Sequence, residues 1–186
     1  MLLNDKVLGV LEVFSSDYKG KVYGREIAKR QRMNQKTVAN ILNRLEKDNI
    51  VKFSQEGKNK YYYFNHNSPE IKEVIKFVEL GKKIKFLIKY KNLRDLFAKL
   101  EERTKGMLIV FGSYASFSST ETSDLDVFIM GSISNIHDLE ELYSLKINLL
   151  GADKNKFDSK QHIIKEIIKR HVILKGADEF IELAWS

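Results

Sequence analysis

The 186-residue chain has no cysteine, one proline (Pro69) and one tryptophan (Trp185). The missing cysteine excludes a disulfide framework, a thiolate zinc site and a cysteine nucleophile together. No apolar run approaches ~18 residues, which excludes a membrane-spanning helix. The opening Met1-Leu2-Leu3-Asn4-Asp5-Lys6 has no basic stretch ahead of an apolar one and no small-residue cleavage site. It therefore reads as no secretory signal, and a cytoplasmic location is expected. The four histidines, His66, His137, His162 and His171, are scattered without metal-ligand spacing and read as surface or core-edge residues. What is present, 43% hydrophobic and 31% charged residues, suits one ordinary domain or two small ones and not a disordered chain.

The net charge of +7 is unevenly spread. Residues 1–105 hold 24 basic and 13 acidic side chains; residues 106–186 hold 8 and 12. A basic front and an acidic back imply two modules with different partners.

In the front module, Leu3, Val7, Leu8, Val10, Leu11 and Phe14 keep helical spacing. A short second helix follows Gly24. A third follows Asn34, its N-cap, with Val38, Ile41, Leu42 and Leu45 on one stripe. Val51–Ser54 then alternates, Gly57-Lys58-Asn59 marks a turn, and Lys60–Phe64 is rich in β-formers: a hairpin. Three helices followed by a basic-tipped hairpin resemble a winged helix-turn-helix over residues 1–66. That resemblance implies binding to double-stranded DNA, the third helix entering the major groove by its N-terminal end. Gln35, Lys36, Thr37 and Asn40 would face bases, while Arg44, Lys58 and Lys60 would approach phosphates, with Arg30 and Arg32.

Residues 67–105 read as a helical connector. Ser68-Pro69-Glu70 is a helix start, and Gly81 with Lys82-Lys83 is a place to divide it in two. Its apolar stripe suggests a contact with a second copy, hence a homodimer.

The last stretch, 106–186, carries the specific chemistry. Met107–Phe111 is a continuous apolar run, read as a buried strand, and Gly112-Ser113 follows it. Ten residues later comes Asp124-Leu125-Asp126, opening a second apolar run, Val127–Met130. Residues i and i+2 of a strand share a face, so Asp124 and Asp126 project together, a donor pair for a divalent metal. Gly112 would let a phosphate approach the backbone, and Ser113 with the amides after it would bind an anion.

Gly112-Ser113-x10-Asp124-x-Asp126 resembles the signature of the polymerase-β-type nucleotidyltransferases, and the short module resembles their minimal branch. The resemblance implies a mixed sheet with helices. It also implies Mg2+ (or Mn2+) and NTP at Asp124, Asp126, Gly112 and Ser113. A hydroxyl would attack the α-phosphate with pyrophosphate leaving, helped by two metals about 3.5–4 Å apart. Such domains are often paired with small helical HEPN-type proteins, which implies such a partner here.

Two departures stand against that pattern. The third carboxylate is expected in Lys146–Leu150, where Asn148 stands, and the nearest acid downstream is Asp153. Ser116 and Phe117 occupy loop positions where relatives commonly have a basic residue and a glycine. The expected architecture is thus an α+β or α/β two-domain chain: winged helix, connector, nucleotidyltransferase fold. The expected function is NMP transfer from NTP to a macromolecule, guided by DNA binding. The alternative is a DNA-binding regulator or antitoxin-like protein whose second domain, degenerate at Asn148, only binds nucleotide or a partner.

Overall fold

A computed structural model describes residues 4–152 and 162–185; Asp153 lies outside the described residues. The chain divides into two compact units inside one helix, between Val78 and Glu79.

The first unit runs α1 (Asp5–Glu12), β1 (Val22–Tyr23), α2 (Gly24–Arg30), α3 (Gln35–Lys47), β2 (Val51–Glu56) and β3 (Asn59–Phe64). This is the order of a winged helix-turn-helix. Asn4 caps α1 and Asn34 caps α3, each side chain accepting from a backbone amide two residues on, at 2.9 and 2.7 Å. These bonds satisfy amides that a helix leaves without an internal partner. On α3, Val38, Leu42 and Leu45 are buried. They join a core that includes Leu11, Phe14, Ile27 and Phe64. The sheet order is β1-β3-β2, all antiparallel. Strand β1 is an addition to the two-stranded hairpin expected from the sequence.

Residues 67–105 do not form a body of their own. They supply α4 (Ile71–Lys89) and α5 (Arg94–Arg103). Helix α4 starts two residues after Pro69 and runs through Gly81 unbroken; the interruption falls at Tyr90 instead. One interior glycine costs a helix only about 1 kcal/mol, too little to end it when its flanks are anchored. Phe86, Leu96, Phe97 and Leu100 belong to the core of the second unit.

That unit continues with β4 (Thr104–Phe111), α6 (Gly112–Ala115), β5 (Leu125–Ile133), α7 (His137–Tyr143), β6 (Ile147–Ala152), α8 (His162–Lys169), β7 (His171–Lys175) and α9 (Ala177–Trp185). The sheet order is β6-β5-β4-β7. Strand β4 is antiparallel to β5 and β7, while β5 and β6 are parallel, joined across α7. Met107, Leu108, Ile109 and Val110 are all fully buried, so β4 is covered on both faces, as its unbroken apolar run requires. Gly106 and Gly131 face each other across β4 and β5. A Cβ on Gly106 would lie 2.3 Å from the Met130 carbonyl oxygen, and one on Gly131 2.1 Å from that of Lys105. Among the described residues, no helix is long and apolar enough to cross a membrane.

Candidate functional site

The end of β4 and the starts of β5 and β6 meet at one rung of the sheet. Antiparallel register puts Phe111 opposite Asp126, and parallel register puts Asp126 beside Asn148. Asp124 and Lys146 stand immediately before their strands, where the Leu125 amide donates to the Lys146 carbonyl at 2.9 Å, and their side chains reach the same face as Asp126 and Asn148. Four side chains thus form two facing pairs. The Asn148 amide donates to Asp126 Oδ1 at 3.0 Å and to Asp124 Oδ2 at 3.3 Å. The Lys146 ammonium donates to Asp124 Oδ2 at 3.2 Å. Asp124 and Asp126 are half-buried, and Asn148 and Lys146 are exposed.

Gly112 turns the chain from β4 into α6 with φ +69°. A Cβ there would sit 2.3 Å from Asp126 Oδ2. The backbone conformation favours glycine, and a side chain here would displace the Asp126 carboxylate. Ser113, half-buried, follows in α6. At the other end of α6, Phe117 adopts φ +58°. Its amide donates to the Tyr114 carbonyl at 3.1 Å, and that of Ser118 to the Ser113 carbonyl at 2.9 Å. This is a left-handed helix cap of the kind glycine usually fills, which explains the glycine expected there. The Phe117 ring stacks on Tyr90, 6.3 Å between centroids and 9° apart, which offsets part of the backbone strain. The Tyr90 hydroxyl reaches the Tyr114 carbonyl and the Ser119 hydroxyl, at 3.3 and 2.9 Å, and ties the loop down. Ser116, in the position of the expected basic residue, donates to the Gly112 carbonyl at 2.8 Å. The Tyr114 hydroxyl is harder to ionise than usual: burial comes first, then the nearby Tyr90 and Asp124.

The donor set is oxygen only. Among the described residues, no group of three or more His, Cys, Asp or Glu side chains is gathered for a metal. Two carboxylates suit Mg2+ or Mn2+, which take one or two carboxylates and complete their shell with phosphate oxygens and water. Rotating the Asn148 amide by half a turn would offer its oxygen as well.

In the first unit, Gln35, Lys36, Asn40 and Arg44 are exposed on α3, Thr37 is half-buried there, and Lys58 and Lys60 are exposed on the hairpin. Arg30 is held by Glu26 one turn back, which engages its charge. Lys60 lies over the Phe53 ring, 4.0 Å from its centroid. These residues belong to the first unit, and Gly112, Ser113, Asp124 and Asp126 to the second.

Sequence reasoning misses two groups. One is Lys146, whose only signal is its two-residue spacing from Asn148. The other is a buried triangle in the second unit. Glu79 lies 2.8 Å from the Lys82 ammonium and 3.0 Å from His171 Nε2, and Lys82 lies 3.1 Å from the same nitrogen. Burial alone would raise the Glu79 pKa, but Lys82 and His171 outweigh it and bring it down to about 2. Burial, aided by Lys82, lowers that of His171. Its Nδ1 donates to the Ile168 carbonyl at 2.7 Å, and its Nε2 faces both the Glu79 carboxylate and the Lys82 ammonium. It is a core histidine.

Residues 90–174 match the family model of the nucleotidyltransferase domain. A comparison with curated protein sequences gives no match. Among solved structures, the chain is similar to a fragment (residues 1–100) of a possible transcriptional regulatory protein from Mycobacterium bovis, with 23% identity. That match covers 45% of this chain and 82% of the other, with a TM-score of 0.36. A solution structure of a homodimeric winged helix-turn-helix DNA-binding domain, from a possible ArsR-family regulator of Mycobacterium bovis, gives 22% identity. There the coverage is 46% and 72% and the TM-score 0.36. A toxin-antitoxin structure with AMP-PNP gives 17% identity, 50% and 80% coverage and a TM-score of 0.38.

Proposed function

We propose that the second unit is a metal-dependent nucleotidyltransferase domain that binds NTP and transfers its NMP to a macromolecule, and that the first unit places it on double-stranded DNA. The observation that supports this most is the close approach of Gly112 to Asp126 with Asp124 beside it. A chain turn without a side chain is set against two carboxylates. Asp124 and Asp126 would hold Mg2+, and Gly112 with Ser113 would face the phosphates. The bound ion supplies charge neutralisation at the phosphates. An acceptor hydroxyl would attack the α-phosphorus and give up its proton to solvent, while the bond to the α,β-bridging oxygen breaks and pyrophosphate leaves.

Asn148 favours a second reading. An amide cannot take the proton of the acceptor hydroxyl, so transfer would be slow. The domain would then serve a DNA-binding regulator or antitoxin-like protein that holds nucleotide or a HEPN-type helical partner. Leu80, Ile84 and Ile88, exposed at four-residue spacing on α4, support a homodimer in either case.

Calorimetric titration with Mg-ATP and Mg-GTP tests the common core of both readings. Binding that Asp124→Asn/Asp126→Asn abolishes supports them; no binding to the native chain overturns the first and leaves of the second only its DNA-binding, partner-holding form. Transfer by the native protein favours the first reading. Nucleotide binding without transfer, with activity appearing in Asn148→Asp, favours the second.

A further inference from the structure

Across the two carboxylates, where an acid is expected, stand an amide and an ammonium. The parallel register aligns Asp126 with Asn148, Asp124 and Lys146 stand just ahead of the two strands, and three hydrogen bonds of 3.0 to 3.3 Å link the four side chains. The carboxylates bring two negative charges, and Lys146 already supplies one positive charge to them.

Resting on the nucleotide-binding reading above, we propose that this is a one-metal site in which Lys146 is the second cation. A single Mg2+ is enough to neutralise Asp124 and Asp126. A second would have to bind between them and an ammonium, with no third carboxylate gathered there among the described residues. Asn148 offers at most a neutral oxygen, a weaker ligand. The Lys146 side chain is 69% exposed on a flexible stem, so its contact with Asp124 is a weak, exchangeable ion pair. Without nucleotide, Lys146 is the counter-ion of Asp124 and competes with a metal for it. When Mg-NTP arrives, the ammonium is released from Asp124 and pairs with phosphate oxygens. Lys146 is thus a binding and positioning residue with opposite effects on the free metal and on the nucleotide.

The test uses the full chain with Mn2+ as the probe. Paramagnetic resonance counts the Mn2+ bound per protein in the presence of an ATP analogue that cannot be cleaved between its α- and β-phosphates. One ion is expected for the native chain and two for Asn148→Asp. Two in the native chain overturn the proposal. Without nucleotide, Lys146→Met should bind Mn2+ about tenfold more tightly, since one positive charge about 4 Å from the divalent ion is removed from a solvated, salt-screened site. The same variant should bind the Mg2+ complex of the analogue more weakly, and Lys146→Arg should stay near native in both assays. Changes of the same sign in the two assays, or none, overturn the role of Lys146 and leave the nucleotide-binding reading standing. If neither Mn2+ nor the analogue binds the native chain, that reading falls too.

Discussion

Replacing Gly112 with alanine puts two separable costs on one methyl group. The first is the backbone: φ +69° is left-handed, and an L side chain there costs roughly 1–2 kcal/mol. The second is the contact at 2.3 Å with Asp126 Oδ2, which the Asp126 side chain can relieve only by rotating. Rotation takes Oδ1 away from Asn148, 3.0 Å distant, and breaks up the facing pairs. That exposed hydrogen bond adds about 1 kcal/mol. Gly112→Ala should therefore destabilise the second unit by about 2–3 kcal/mol, measured by urea denaturation, and should weaken Mn2+ binding sharply. A double-mutant cycle separates the two costs. In an Asp126→Ala background the clash is absent, so Gly112→Ala should cost only the backbone share, about 1–2 kcal/mol. An equal cost in both backgrounds, or native Mn2+ affinity in Gly112→Ala, would refute the close approach of residue 112 and the carboxylate.

Acid should weaken the second unit in two stages. Both buried groups have lowered pKa values when folded, so their contributions are present at neutral pH and lost on acidification. The His171 share fades below its unfolded value near 6.5, and the Glu79 share between about 4.5 and 2. Thermal melts from pH 7.5 to 3 check this, and Glu79→Gln should flatten the lower stage; an unchanged acid slope in that variant would count against it. Asn34→Ala removes the 2.7 Å cap of α3 and should cost about 1 kcal/mol in the first unit, read by urea denaturation. Retardation of duplex DNA should weaken with salt, and neutralising Lys36, Arg44 and Lys58 should lower the log–log salt slope by about 0.9 for each phosphate that no longer meets a cation. Binding that ignores both salt and these substitutions would sink the DNA-binding proposal.

The candidate site can be read from the chain because its logic is local. Asp124-x-Asp126 declares a shared strand face by spacing alone, and Gly112-Ser113 sits where an apolar run stops. Asn148 can be located because the run Ile147–Leu150 has a single polar position facing the acids. Lys146 carries no such mark, because a lysine before a strand is ordinary until the parallel register sets it beside Asp124. Strand β1 is two residues long, below any period, and forms only because β3 offers it an edge. Glu79 lies in a helix rich in charge, and nothing local marks it as the one sealed against His171, 92 positions away. Phe117 stands out in the sequence as a departure, and its left-handed backbone shows why a glycine is expected there.

Gly106 and Gly131 lie five rungs from the Phe111–Asp126 pair, about 17 Å along the hairpin at the usual rise per residue. With both side chains absent, the strands pinch together at that rung. A slip of one residue would put each glycine opposite a residue with a side chain, where the pinch cannot close. The same slip would turn Asp126 to the other face of the sheet. The glycine pair thus works as a detent: it stops the strands at one setting, and that setting holds the acids in line with the Gly112 turn. If the proposed metal site is real, damage at this remote rung would weaken it, and a survey of substitutions would mistake that for damage to the site itself.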